Sequence, residues 1–146
     1  MKELAVGDVA VGSEFAQTTP SEPLYRAMKR ESDGRPAIGD NDLGVRTGFD
    51  ITPDLDGNVG PGMGGMSASN DPHELPIHRR PPTIGGTSKK PVWITGSLSE
   101  FRELLIRPDS NKPSHLLVEP AHTMAFQQYR SHLSETRLRW DIAFDV

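Results

Sequence analysis

Apolar positions in this chain fall into short runs separated by long polar stretches rich in proline and glycine. The first sharp run is PLYRAM (23–28), whose length and composition predict a buried strand. LGVRTGFDI (43–51) predicts a second short strand, MSAS (66–69) and VWIT (92–95) alternate as strands do, and HLLVE (115–119) reads as another. Between them lie ESDGRPAIGDND, PDLDGNVGPGMGG and NDPHELPIHRRPPTIGGTSKK, the last with four prolines, too many for a helix interior. Ser97 and Glu100 match a capping box, and Leu98, Phe101, Leu104 and Leu105 fall on one face of a short helix ending at Arg107-Pro108. Phe126, Tyr129, Leu133, Arg137 and Trp140 form a second helical stripe, from about Thr123 to the C-terminus. No internal repeat stands out. The expected class is α+β: short strands in a split sheet, one or two helices, and long Pro/Gly-rich loops. Residues 1–22 read as a peripheral segment, with a short strand over 4–11 and a turn-rich hinge TTPSEP, and 23–146 as a single domain.

Composition narrows the picture. The length of 146 residues suits one domain. With 20 acidic residues against 16 Lys and Arg, the net charge of −4 argues against a dedicated nucleic-acid-binding surface. Hydrophobic residues make up 34%, enough for a thin core. The absence of cysteine excludes disulfides, thiolate metal sites and cysteine nucleophiles. The N-terminal segment MKELAVGDVAVGSEFAQ has neither a signal h-region nor a membrane span. The expectation is a chain that starts in the cytoplasm, carried out, if at all, by a machine that delivers proteins into a target cell.

Several apparent motifs fail on spacing. His73-Glu74 and His78 evoke a zinc-protease helix, but the histidines are five apart and Pro76 forbids the helix, so no metal is expected. Asp54, Asp56 and Gly57 start like a calcium loop, yet the twelfth position is Gly65 rather than Glu. The run Gly60–Gly65 lacks the Lys-Ser/Thr ending of a phosphate loop, although a glycine-rich loop entering a strand is suited to lining a cleft. No nucleophile elbow is present. What remains are three polar features on apolar strands: Arg26, the pair Ser67 and Ser69, and Glu119. Each is costly to bury without a partner. Two accounts are open: they satisfy one another, with Arg26 and Glu119 as a structural ion pair and the serines on neighbouring backbone, or they serve a ligand.

Leu24-Tyr25-Arg26, Ser67-Ala68-Ser69 and Glu119, in that order, resemble the Arg, Ser-x-Ser and Glu pattern of ADP-ribosyltransferases. LYRAMK, GGTS with the following PVW strand, and SHLLVEPAHTM leading toward RLRW look like the small ADP-ribosyltransferase-like toxins among type VI secretion effectors. The resemblance covers about residues 23–140 and implies a fold, a substrate and roles. NAD would be cut at the nicotinamide–ribose bond, with Glu119, Arg26 and Ser67 at the catalytic centre. Arg26 would hold a phosphate, Ser67 and Ser69 would wall the nicotinamide pocket beside Gly65, and Glu119 would take the ribose hydroxyl and stabilise the oxocarbenium-like charge. Tyr25 and Trp93 are candidates for ring stacking or plain core aromatics. His78, Arg79 and Arg80 form a basic cluster suited to the adenine-side phosphate, to a target, or to solvent. No metal cofactor is implied; an immunity or antitoxin partner and an unknown macromolecular acceptor are. One departure stands out: Leu117 occupies the position where Arg-modifying members carry an acidic or amide residue, which puts a protein arginine acceptor in doubt. Two rivals stand beside this reading: a binding module that kept the fold and lost the chemistry, with the 70–90 segment as its contact surface, and a housekeeping α+β protein with Arg26 and Glu119 as a structural ion pair.

Overall fold

Eight strands and one α-helix make up the regular structure of residues 23–146, the part of the chain described by the computed structural model. The expected strand at 4–11 and the hinge after it lie outside the described residues. The strands are β1 (Leu24–Ala27), β2 (Asn58–Val59), β3 (Met66–Ser69), β4 (Val92–Thr95), β5 (Leu104–Asp109), β6 (Lys112–Pro120), β7 (Met124–Ala125) and β8 (Asp141–Phe144). The helix α1 spans Phe126–Glu135. Six strands form one antiparallel sheet in the order β5-β6-β3-β1-β4-β8, and β2 pairs with β7 in a separate ribbon. The class is α+β. No helix among the described residues is long and apolar enough to cross a membrane.

Strand alternation puts Leu24, Trp93, Met66, Ala68, Leu116 and Val118 in one buried cluster, together with Tyr129 and Leu133 of α1 and with Trp140. The two tryptophans are both sealed in the core and both keep their indole N–H bonded: Trp93 donates to the Met28 carbonyl at 2.8 Å and Trp140 to the Thr136 hydroxyl at 3.1 Å. Trp93 is therefore a core aromatic.

Three expectations are corrected. Residues 43–51 form no strand in the sheet; Leu43, Val45 and Ile51 anchor an irregular loop to the core, where Asp50 accepts from the Arg46 backbone N–H at 2.6 Å and from its guanidinium. The helix expected over 97–107 is instead a turn followed by β5. The Ser97 hydroxyl accepts from Ser99 two residues on, closing an ST turn rather than capping a helix, and residues 104–109 join β6 in a hairpin. Pro108 excludes a helix interior there, and the Asp109 carboxylate closes the hairpin by accepting from the Asn111 N–H at 2.9 Å. The C-terminal helix stops at Glu135, a 3-10 turn carries Arg137–Arg139, and β8 returns to the sheet edge against β4. The apolar stripe is real, but Trp140 reaches the core from the turn after the helix.

The junction of α1 with the sheet has an unusual form. Met66 and Val118 face each other across the β3–β6 ladder, yet the Met66 N–H donates to the Tyr129 hydroxyl at 3.0 Å, and that hydroxyl donates on to the Val118 carbonyl. One rung of the ladder thus runs through a helix side chain. Burial pushes the phenol well above its ordinary range, so it stays a neutral donor and acceptor at every physiological pH. Substitution Tyr129→Phe should remove the bridge and leave two buried backbone groups to re-pair imperfectly. The expected cost is about 1–3 kcal/mol, visible in thermal melts as a fall in Tm of roughly 3–10 °C.

Candidate functional site

Strand β3 is entered through a backbone that only glycine permits. Gly64 sits at φ +115, and a Cβ there would lie 2.1 Å from the Asp50 carbonyl; a Cβ on Gly65 would lie 2.5 Å from the Val118 carbonyl. The close approach brings the Gly65 N–H to the Asp50 carbonyl at 3.0 Å and fixes where β3 begins. Gly65 thus shapes the entry, while Gly62, Met63 and Gly64 present the loop to the surface groove described below.

Arg26 lies on β1 opposite Trp93, which by alternation aims it toward the core. Its guanidinium turns into the gap between β1 and β3, where the registered pairing is the single pair Tyr25–Ser69. There Nη1 donates to the Ser67 carbonyl at 2.6 Å and to its hydroxyl at 3.2 Å, Nε donates to the Asp42 carbonyl at 2.7 Å, and Nη2 reaches the Gly44 carbonyl at 3.5 Å. Asp42 is itself fixed, since its carboxylate accepts from the Lys29 N–H at 2.7 Å and from Lys90 Nζ at 2.9 Å. Burial first, and the neighbouring Arg79 second, lower the Arg26 pKa to about 10, which leaves it charged at neutral pH. The cation is held by carbonyls and one hydroxyl, and no ion pair among the described residues includes it.

Glu119 is buried on β6, and its hydrogen bonds among the described residues fall on Oε1: Arg107 Nε donates at 2.8 Å and the Gly62 N–H at 3.2 Å. Arg26 and Glu119 therefore do not form the structural ion pair that the sequence left open. Ser69 does follow the bland account, its hydroxyl bonded to the Asp71 backbone at 2.6 and 3.1 Å, whereas the Ser67 hydroxyl accepts from Arg26.

Two hollows share the sheet face of Ser67, Ser69, Leu117 and Glu119. The first, a cavity of about 240 Å³, is lined by Arg26, Ser67, Ser69, Arg79, Lys112 and His115, with Glu74 the one carboxylate among the described residues that line it. The second is a more open groove of about 740 Å³ lined by Glu119, Leu117, Arg107, Asp109 and the 62–64 loop. They adjoin across the registered pair Ser67–Leu117. His115 and Glu119 lie four positions apart on β6, about 13 Å along the strand. The arrangement joins a cation-rich end, suited to phosphate oxygens, to a carboxylate end.

Of the residues singled out in the sequence, Arg26, Ser67, Ser69 and Arg79 meet in the first cavity and Glu119 in the second. Tyr25 lines neither. Arg80 is turned away: its Nη1 donates to the Ile84 carbonyl at 3.3 Å, inside a loop where Gly86 packs on the Arg80 backbone. His78 is exposed on a 3-10 turn. Among the described residues no group of three metal-ligating side chains converges. Arg107, Lys112 and His115 do not stand out in the sequence; helical spacing puts Arg107 at the end of a helix, and the Pro-Asp-Ser-Asn hairpin turn beside it is the signal that corrects its place.

Substituting Arg26→Lys should keep the charge but leave carbonyls of Ser67, Asp42 and Gly44 without their fork-shaped donor. The expected destabilisation is about 2 kcal/mol or more, read as a lowered midpoint in urea unfolding. No family model, curated protein or solved structure matches this chain.

Proposed function

We propose that this chain is an ADP-ribosyltransferase-like protein of the toxin or effector type, which cleaves NAD at the nicotinamide–ribose bond and acts in the cytoplasm of a target cell. The observation that carries the proposal is the guanidinium of Arg26 set on Ser67 in a cation-rich cavity that adjoins, across the pair Ser67–Leu117, the groove of Glu119. A dinucleotide laid along β3 and β6 would place its phosphates by Arg26, Arg79 and Lys112 and its nicotinamide ribose by Glu119. The glycosidic C–N bond then breaks with its electron pair leaving on nicotinamide, and positive charge develops on the ribose. The Glu119 carboxylate, held in a buried position, faces that charge without having to reorganise. Water or a nucleophilic group of the acceptor adds to the anomeric carbon and gives up its proton.

The acceptor side of the groove is apolar at Leu117, which offers no group to deprotonate an acceptor. Bare NAD hydrolysis, or an acceptor already nucleophilic at neutral pH, fits that surface better than an arginine side chain. A cognate immunity protein would act by covering the groove.

Purified protein incubated with adenine-labelled NAD should release nicotinamide, and Glu119→Ala should lower that rate at least about 10²-fold. Arg107 is half exposed and returns to water when its partner is removed, so the variant's Tm should stay within about 3 °C of wild type. Absence of nicotinamide release from folded wild type would sink the proposal.

A further inference from the structure

Arg107 sits on the edge strand β5, directly opposite Leu117 and diagonal to Glu119. Its Nε donates to Glu119 Oε1, the same oxygen that accepts from the Gly62 N–H. The other carboxylate oxygen, Oε2, accepts no hydrogen bond among the described residues. The carboxylate is therefore held by one oxygen, on a residue that lines the groove. The pair is also asymmetric. Glu119 is almost fully enclosed, at 1% exposure of its side chain, while Arg107 is 46% exposed and lines the groove. A half-exposed arginine on an edge strand adds little to stability by its ion pair alone. Its consequence lies in geometry: two donors converging on Oε1 fix the rotation of a carboxylate that would otherwise swing about its last bond.

We infer that Arg107 is a positioning residue for Glu119: with the Gly62 N–H it locks Oε1 and so presents Oε2 to the ribose hydroxyl of the bound nucleotide. The inference rests on the reading of Glu119 as the group that faces the reacting ribose. It goes beyond that reading by giving a task to a residue on a different strand and to the glycine-rich loop. Gly62, at φ +85, supplies the second donor from its backbone.

The test is steady-state nicotinamide release by full-length wild type, Glu119→Ala, Arg107→Gln, Arg107→Met and Arg107→Lys, with Tm measured for each. Arg107→Gln and Arg107→Met should lower kcat about 10²-fold through misplacement of the carboxylate, with KM for NAD changed less than about threefold and Tm little moved. Arg107→Lys should recover part of the lost kcat, because a charged donor remains within reach. Wild-type kcat in both neutral variants, with Glu119→Ala inactive, overturns the positioning role alone. A rise in KM at unchanged kcat also overturns it and makes Arg107 a binding residue. Loss of the fold in both neutral variants overturns it in favour of a structural role. A folded wild type that releases no nicotinamide overturns the reading of Glu119 and this inference with it.

Discussion

Strand β3 cannot satisfy its own backbone with its neighbours alone. It is four residues long and lies between β1 and β6, and on each side a side chain takes a place in the bonding: the Arg26 guanidinium on the Ser67 carbonyl, the Tyr129 hydroxyl between the Met66 N–H and the Val118 carbonyl. Unpaired backbone groups in the interior are expensive. At these two places a buried cation from β1 and a phenol from α1 take over part of the strand's bonding. The rest is arranged around this requirement: the carbonyls of Asp42 and Gly44 collect the remaining Arg26 donors, and Gly64 and Gly65 let the chain enter β3 at van der Waals limits against Asp50 and Val118. The candidate site is the outer surface of the same construction.

The electrostatics follow from it. A chain of net negative charge concentrates Arg26, Arg79, Lys112 and His115 around one cavity. Most other arginines are paired at the surface: Arg30 with Asp145, Arg130 with Asp40 and Arg137 with Asp33, each at 2.6 Å. At that cavity Arg26, Arg79 and Lys112 belong to no ion pair among the described residues, while His115 is bonded to Asp109 at 2.8 Å and Glu74 is part of the lining; the concave shape strengthens the field on an entering anion. Arg107 at the other end of the surface is tied to Glu119.

Much of this was legible in the sequence where a pattern has a local cause. MSAS and VWIT show themselves as strands by alternation, LYRA and HLLVE as short apolar runs, and the stripe through Tyr129 and Leu133 by helical period, and all lie where those patterns place them. The failures have causes outside the period. Ser97 and Glu100 have the spacing of a helix cap, but pairing with β6 outweighs the local preference, and the Asp109–Asn111 turn decides the matter. Trp140 falls on the helical stripe by number and reaches the core from a different element. In the site, Arg26, Ser67 and Glu119 stood out because each interrupts an apolar run. Their partners did not: Arg26 is satisfied by backbone carbonyls, which carry no residue signature, and Arg107 is joined to Glu119 by strand register.

The connectivity also sets when the site can exist during synthesis. Outside the β5–β6 hairpin, the pairings that matter join distant segments: Arg26 meets Ser67 across 41 residues, and Met66 meets Tyr129 across 63. The last strand, β8, closes the edge beside β4 only with residues 141–144. A ribosome-bound chain that has already exposed Arg26, Ser67 and Glu119 still lacks the phenol that completes the ladder between β3 and β6. Assembly is therefore a late and collective event, governed by closure of long loops rather than by local elements, and the nascent polypeptide carries the residues of the site well before it carries the site itself.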